Sequence, residues 1–247
     1  MKKNIHKNMA EGDLFPETLP MTTEKPREDK QPSELKKRVM GFCNLDLLLD
    51  AEPVPAKDFT LSVKAYMGRV PQQLIAFSKA AKSKTHQACV HFFEYDYMIE
   101  RFWYAPRKYL GMLKQFPVVM SPDYSVSYDV PDEVNEWNIF RNYASARIMQ
   151  LQGINVIPNI PVCLPHLYDK VFDPLAGCGI YAISNVRAHA NYFTRHKWYE
   201  FVREAIRRLN PKALLIYGNR MVVSGAQAYY YENENLNRLR KWKTMIL

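Results

Sequence analysis

The sequence predicts an α/β fold in which strands and helices alternate and the strands run mainly parallel. Short apolar runs rich in β-branched and aromatic residues recur along the chain, and segments with helical periodicity separate them. Each helical segment leads directly into the next apolar run, which favours parallel strands joined by right-handed crossovers. We expect an incomplete or irregular (β/α) barrel rather than an open doubly wound sheet. A possible seventh strand favours a barrel, whereas the ordered part is shorter than the roughly 250 residues of a regular eight-fold barrel, and an incomplete barrel accommodates both facts.

The first 40 residues are predicted to form a flexible arm. They are rich in Lys, Glu, Pro, Thr and Asn and have few apolar side chains, so burial there cannot offset the entropy of ordering. A short amphipathic piece at residues 33–39 is a candidate to dock on the rest. Residues 41–247 are then expected to form a single α/β domain.

The strands are predicted where apolar runs are short and bounded by turn residues. Six runs fit best: residues 74–77, 89–93, 118–120, 155–157, 180–183 and 213–217. Residues 61–67 are a candidate seventh strand.

Three longer segments have the periodicity of amphipathic helices. Residues 97–115 place Ile99, Phe102 and Trp103 at helical spacing, although Pro106 is expected to kink or split this helix. Residues 132–152 begin behind a proline with acidic side chains and stop at Gly153. Residues 194–209 repeat the amphipathic pattern and end before Asn210-Pro211.

Several function classes are disfavoured by what the sequence lacks. Neither the G-x-G-x-x-G nor the G-x-x-x-x-G-K-[ST] fingerprint of nucleotide-binding folds occurs. The cysteines have no C-x-x-C spacing, so we expect reduced and mostly buried thiols. No apolar stretch is long enough for a membrane helix and the N-terminus resembles no signal peptide, which predicts a cytoplasmic protein without a membrane partner.

The chain is basic, with a formal net charge of +9 from 34 Lys and Arg against 25 Asp and Glu. A surplus of this size favours polyanionic partners such as nucleic acid. The predicted nucleic-acid surface lies late in the chain and comprises Arg203, Arg207, Arg208, Arg238, Arg240 and Lys241. An ordinary solvated face is the alternative interpretation.

Polar side chains follow the predicted strands at their carboxyl ends, where parallel α/β folds place their sites. Glu94, Asp96 and Asp123 are the candidate catalytic residues. Carboxylates gathered on one rim could hold a divalent metal such as Mg or Mn, or divide acid and base roles. Helix caps and Asx turns are the alternative. The candidate binding residues in these loops are Tyr124, Ser125, Asn159 and Asn219.

Two otherwise aromatic helices also carry polar residues of interest. Glu100 and Arg101 lie on the first, and Asn138 and Arg141 lie on the second. Arg141 could reach a rim carboxylate or hold a phosphate, although an ordinary ion pair is the favoured interpretation. The aromatic run at residues 229–231 could stack bases but is expected to pack a C-terminal helix on the body.

Several motifs together resemble the domain of unknown function 4417 family, which phages, plasmids and other mobile elements carry. They are Phe-Phe-Glu-Tyr-Asp from Phe92, Glu-Arg-Phe-Trp from Glu100, Tyr109-Leu110, Ser-Pro-Asp-Tyr-Ser from Ser121, Trp137-Asn138 with Arg141, Gly-Ile-Asn-Val-Ile-Pro from Gly153, and Leu-Asn-Pro-Lys from Leu209. The resemblance covers roughly residues 70–220. It implies a genetic setting rather than a mechanism.

The resemblance supports seven positions as candidate site residues. They are Asp96, Glu100, Arg101, Asp123, Ser125, Asn138 and Arg141. Where the family has two adjacent acidic residues after the strand, this chain has Tyr95-Asp96. The departure weakens a paired-carboxylate role at that point.

Two hypotheses of function follow. The first is a mobile-element accessory protein that binds nucleic acid, or a replication or host protein, through a basic surface. The second is a metal-assisted or acid/base hydrolase that acts on a phosphate- or sugar-containing substrate through the carboxylate rim. A binder needs a continuous basic surface, whereas a hydrolase needs carboxylates that converge in a concave pocket.

Deleting residues 1–38 should leave the domain folded, because almost nothing in that segment can be buried. Thermal melting of the truncated chain against the full chain checks this. A fall in Tm of more than about 5 °C, on the order of a kcal/mol in a domain of this size, would instead show that the arm is docked.

Overall fold

Seven parallel strands form the framework of the computed structural model, which describes residues 43–49, 61–175, 177–186, 188 and 191–233. One sheet has the order β1-β2-β3-β4 and the other the order β5-β6-β7. The strands are β1 (Leu74–Ala76), β2 (Cys89–His91), β3 (Val119–Met120), β4 (Val156–Ile157), β5 (Ile180–Ser184), β6 (Ala213–Gly218) and β7 (Ala228–Glu232). The predicted α/β fold with parallel strands is confirmed.

The two sheets meet where β4 ends. A single parallel bridge pairs Asn159 with Ala182 of β5. Two backbone bonds support it, from the Ile160 amide to the Ala182 carbonyl at 2.8 Å and from the Ala182 amide to the Pro158 carbonyl at 2.9 Å. No hydrogen-bonded ladder closes the described strands into a ring, so the strands stand as two sheets joined by this bridge.

Helices connect the strands and cover one face of them. They are α1 (Leu45–Leu49), α2 (Phe77–Ala80), α3 (Asp96–Tyr104), α4 (Pro106–Leu113), α5 (Asp132–Leu151), α6 (Tyr168–Phe172) and α7 (Tyr192–Leu209), with a 3-10 turn at Pro165–Leu167 before α6. As predicted, Pro106 splits the helical segment at residues 97–115, and the chain leaves helical geometry at Ala105. Gly153 follows α5 with φ of +77°, which a glycine adopts without strain.

The strands divide their side chains between two hydrophobic clusters. One face packs against the helices and contributes Val90, Val119, Tyr181 and Leu214 to the larger cluster. The other face forms a second cluster, whose members come from every strand: Leu74, Cys89, Met120, Ile157, Ile180, Ala182, Ala213, Leu215, Tyr229 and Tyr231. Strands buried on both faces account for the continuous apolar runs in the sequence.

Two sequence predictions about strands need correction. Residues 61–67 do not form a strand and make only isolated bridges at Val63 and Tyr66. The seventh strand is instead β7, which contains the tyrosine run at residues 229–231 and pairs with β6. Aromatic residues fit a pleated, half-buried surface, which accounts for this strand. The C-terminal helix that the tyrosines are predicted to pack lies outside the described residues.

The loop after β3 is fixed by one fully buried amide. Asn142 of α5 accepts a hydrogen bond from the Tyr124 backbone amide at 2.7 Å and donates to the Tyr124 carbonyl at 3.1 Å. One side chain therefore satisfies both backbone groups of a residue that is itself fully buried.

No helix in the described ranges has the length and apolarity needed to cross a membrane.

Asn142→Ala should lower the free energy of unfolding by about 3 kcal/mol, because it leaves two buried backbone groups without partners. Asn155→Ala is the matched control, since the Asn155 amide donates to the Pro117 carbonyl at 3.1 Å in an exposed position. Water can replace that bond, so we expect a change below about 0.5 kcal/mol. Urea denaturation measures both variants. Equal losses would contradict the role assigned to Asn142.

Candidate functional site

The first candidate carboxylate, Glu94, holds the start of a helix. It lies in the loop after β2 and is half-buried. Its carboxylate accepts hydrogen bonds from the Ser78 hydroxyl and, at 2.8 Å, from the Ser78 backbone amide. That amide belongs to the first turn of α2, where backbone N–H groups have no partner within the helix. Glu94 thus caps α2 from a distant part of the chain.

Asp96 lies in the first turn of α3 and binds the loop after β3. Both of its carboxylate oxygens lie 3.2 Å from the Ser125 backbone nitrogen, and one lies 2.9 Å from the Ser125 hydroxyl oxygen. The structure therefore brings together two of the predicted site residues. The contact fixes the loop after β3 to the start of α3.

Asp123 and Asn159 join the ends of β3 and β4. The Asn159 side-chain nitrogen donates to Asp123 Oδ1 at 2.7 Å, and the Asn159 backbone amide donates to the Ser121 hydroxyl at 2.7 Å. Asn159 is fully buried, and its Oδ1 accepts no hydrogen bond from the part of the chain that the structure describes. Burial raises the pKa of Tyr143 well above its usual value, and Asp123 is among the neighbours that add to the effect.

The most connected predicted residue is Arg141, a buried cation on α5. Its Nη1 donates to both carboxylate oxygens of Glu100 at 2.7 and 2.8 Å, and its Nη2 donates to Asn138 Oδ1 at 2.6 Å. The Asn138 side-chain nitrogen then donates to the Ser125 carbonyl at 2.6 Å. Asp96, Ser125, Asn138, Arg141 and Glu100 are consequently one continuous network between α3, α5 and the loop after β3.

Aromatic rings surround the Arg141 guanidinium. Its carbon lies 4.1 Å from the ring centre of Tyr124, 5.9 Å from that of Trp103 and 6.0 Å from that of Trp137. Burial raises the pKa of Tyr124, although the positive charge of Arg141 opposes this. The sequence interpretation of Arg141 as an ion-pair residue agrees with these contacts.

The remaining predicted binding residues lie apart from this network. Arg101 is exposed, with its guanidinium 4.8 Å from the ring centre of Phe77 and 6.0 Å from that of Tyr109. Asn219 follows β6, and its backbone amide donates to Asn185 Oδ1 at 2.8 Å. A β-carbon at Gly218 would collide with that same Asn185 oxygen, so this position requires glycine.

The described carboxylates do not form a metal centre of the usual composition. No group of three or more His, Cys, Asp or Glu side chains in the described ranges is arranged to hold a metal ion. Glu94, Asp96 and Glu100 each hold a neighbouring segment in place. Catalytic roles for Glu94, Asp96 and Asp123, and a Mg or Mn ion, stay predictions.

The predicted basic surface on α7 is largely compensated by acidic residues of α7 and α6. Glu204 accepts hydrogen bonds from Arg207 at 2.7 and 2.8 Å and from Arg208 at 2.6 Å, and Asp169 accepts one from Arg208 at 2.6 Å. Hydrogen bonds from the two guanidinium groups lower the pKa of Glu204 to about 2. Arg203 lines a shallow open depression between α7 and the turn before α6. Arg238, Arg240 and Lys241 lie outside the described residues.

A second basic surface, not identified from the sequence, lies on the elements from α2 to α4. We call it the α2–α4 face and define it by five exposed side chains: Lys82, Lys84, Arg101, Lys108 and Lys114. None of the five forms an ion pair with another described residue. The local density of lysine and arginine in residues 79–114 was the available signal.

Aromatic contacts bring two cations of the α2–α4 face together and join the segments that carry the others. Arg101 and Lys108 both lie over the Tyr109 ring, at 6.0 and 5.7 Å from its centre. The Phe77 ring of α2 packs edge-on against Tyr109, with 5.2 Å between ring centres. His86, just after Lys84, packs against Phe116, just after Lys114, with 4.9 Å between ring centres.

Comparison with known proteins gives a family but no solved structure. The model of a family described as "Domain of unknown function (DUF4417)" matches residues 59–231. The Gene 1 protein of Mycobacterium phage L5 is 31% identical over 129 residues, which is 52% of this chain and 56% of the phage protein. The Gene 1 protein of Mycobacterium phage D29 is 26% identical over 155 residues, which is 63% of this chain and 54% of the phage protein. The chain thus spans about half the length of these relatives, and no solved structure matches it.

Glu100→Ala should lower the free energy of unfolding by about 3 kcal/mol, because it leaves the buried Arg141 cation without its anion. Glu136→Ala is the control, since Glu136 pairs with Lys170 at 2.9 Å while both side chains are about half exposed. An exposed pair contributes at most about 1 kcal/mol. Chemical denaturation compares the two variants. If both variants lose the same small amount of unfolding free energy, water already screens the Glu100–Arg141 pair.

Proposed function

The chain belongs to the DUF4417 family, whose model matches residues 59–231, and we propose that it is an accessory protein that binds nucleic acid through the α2–α4 face. The observation that carries this proposal is the separation of charge in residues 79–114. That range contains seven basic and three acidic residues. The acidic side chains are engaged with other segments, whereas most of the basic ones are exposed.

The partners of these carboxylates matter because none of the three forms an ion pair with the cations of the α2–α4 face. Glu94 is occupied by Ser78, Asp96 by Ser125 and Glu100 by Arg141. A surface where carboxylates and cations alternate attracts a polyanion weakly, whereas an uncompensated one attracts it over about one Debye length, roughly 8 Å at physiological salt. Phosphate groups are the polyanionic ligand that this charge pattern fits best.

The α7 helix supports the choice of the α2–α4 face by contrast. Arg207 and Arg208 satisfy Glu204 and Asp169, and Lys197 pairs with Glu200 at 3.0 Å. A phosphate contact by these side chains would have to replace existing ion pairs. The proposed interface therefore differs from the one that the sequence suggested.

We also propose that the two sheets belong to one irregular barrel. The second hydrophobic cluster contains residues from all seven described strands, as the interior of a closed sheet would. In addition, the Tyr231 hydroxyl of β7 donates to the Pro71 carbonyl, three residues before β1, at 2.5 Å. The α2–α4 face would then lie on the outer ring of helices, away from the carboxyl ends of the strands.

Lys82→Ala/Lys84→Ala/Lys108→Ala should weaken binding of a labelled 20-nucleotide probe and flatten its dependence on salt. Each lost phosphate contact lowers the slope of log K against log salt by about 0.7 to 0.9, so the triple variant should lose about 2 units of slope. Fluorescence anisotropy over a range of salt concentrations measures this.

The matched control is Arg203→Ala/Arg207→Ala/Arg208→Ala, which removes the same charge from α7. Because two of those three cations are already paired, we expect a smaller change in slope than for the lysine variant. An equal effect of both variants would mean that binding depends on the net charge of the protein and not on the α2–α4 face. No binding by the parent protein at low salt would overturn the proposed function.

A further inference from the structure

Helix α3 carries large aromatic side chains on the face that it turns to solvent. Its inner face buries Ile99, Phe102 and Trp103. On the opposite side, Tyr97 is 77% exposed and Tyr104 is 69% exposed. Aromatic rings of this size are usually at least partly covered in a folded domain, so two of them on one solvent-facing helix surface need an explanation.

The two exposed rings lie on either side of a cation. Tyr97, Arg101 and Tyr104 follow one another at i, i+4 and i+7, so they share one helix face. Seven residues of helix separate the two tyrosines by about 10 Å along the axis. Arg101 belongs to the α2–α4 face and forms no ion pair with another described residue, so the aromatic rings adjoin that face.

A third exposed ring extends this aromatic surface at the start of the helix. Tyr95 is 67% exposed and stacks on Tyr97, with 5.8 Å between ring centres and 12° between the ring planes. The pair presents a flat aromatic surface beside the first turn of α3. Flat rings interleaved with cations are the combination with which proteins bind single-stranded nucleic acid.

We infer that the ligand of the α2–α4 face is a single-stranded nucleic acid whose bases stack on Tyr97 and Tyr104 and whose phosphates contact the neighbouring cations. This inference rests on the proposed function and specifies its ligand. In a duplex the faces of the bases are covered by their neighbours, and only base edges and the backbone are accessible. An exposed tyrosine can stack only on a base that no duplex holds, and every base offers such a face regardless of sequence.

A protein partner is the competing occupant, because tyrosine and arginine are also common in protein interfaces. The charge of the surroundings favours nucleic acid. Five cations lie on this face, and the carboxylates nearest to them in sequence are held by Ser78, Ser125 and Arg141. A protein would need a strongly acidic segment to match this surface, whereas a nucleic acid supplies both the charge and the ring faces.

The test compares Tyr97→Ala/Tyr104→Ala with Tyr97→Phe/Tyr104→Phe in the full chain. Binding to oligo-dT, to oligo-U and to a duplex of equal length is measured at one fixed salt concentration. Stacking is worth about 1 to 3 kcal/mol per base, so the alanine variant should bind a single strand roughly 30-fold or more weakly. The phenylalanine variant should retain binding, because it keeps the ring faces. The two oligonucleotides distinguish DNA from RNA as the source of the strand.

Two controls make the outcome specific. Tyr192→Ala removes a tyrosine that is 81% exposed at the start of α7, outside the α2–α4 face, and should leave binding unchanged. The salt slope of the alanine variant should equal that of the parent, since no phosphate contact is lost. Thermal melting should show all three tyrosine variants folded, because exposed side chains contribute little to stability.

The outcomes separate the inference from the proposed function. Unchanged single-strand affinity of the alanine variant, or parent binding to duplex as tight as to single strands, would overturn the stacking inference and leave the proposed function standing. Absence of binding to any of the three probes at low salt would overturn both the stacking inference and the proposed function. A protein partner would then be the remaining candidate for this face.

Discussion

The buried guanidinium of Arg141 is the constraint on which the arrangement of this part of the molecule depends. A cation in a poorly hydrated site is tolerated only where partners are fixed around it, and here they are the Glu100 carboxylate, the Asn138 amide and the Tyr124 ring. These partners lie on α3, on α5 and in the loop after β3. The position of each segment is consequently determined by the other two, and Asn142 reinforces the same loop from α5. A shift of α3 alone would separate the charges.

This constraint also determines which charges reach the surface. The acidic side chains of residues 94–100 bind Arg141, Ser125 and Ser78, so among the described residues none of them pairs with the five cations of the α2–α4 face. On α7 the opposite happens, because Glu200 and Glu204 lie on the same helix as the cations and can pair locally. The net charge of the chain is thus a poor guide to where a polyanion binds. The spatial direction of the carboxylates decides it.

Local patterns in the sequence were sufficient for the helices and for most of the strands. Pro106 divides α3 from α4 and Gly153 ends α5 because both residues act on the adjacent backbone. The partners of the site residues were not predictable in the same way. Asp96 binds a residue 29 positions away and Glu100 one 41 positions away, and such pairings depend on how distant segments pack. The strand β7 was missed because a run of three tyrosines has no alternation of apolar and polar residues to show which face is buried.

The polar residues at the carboxyl ends of the strands show that position in a fold is weak evidence for a functional role. A side chain that has no structural role is stronger evidence. Glu94 and Asp96 occur where α/β enzymes place catalytic groups, yet each satisfies N–H or O–H groups that would otherwise lack a partner, which gives a sufficient structural reason for the residue. No comparable structural role explains Tyr97 and Tyr104. The helical spacing that buries Ile99, Phe102 and Trp103 directs these rings outward, and an exposed ring contributes nothing to the core. A residue whose presence folding does not explain is the better guide to what the surface binds.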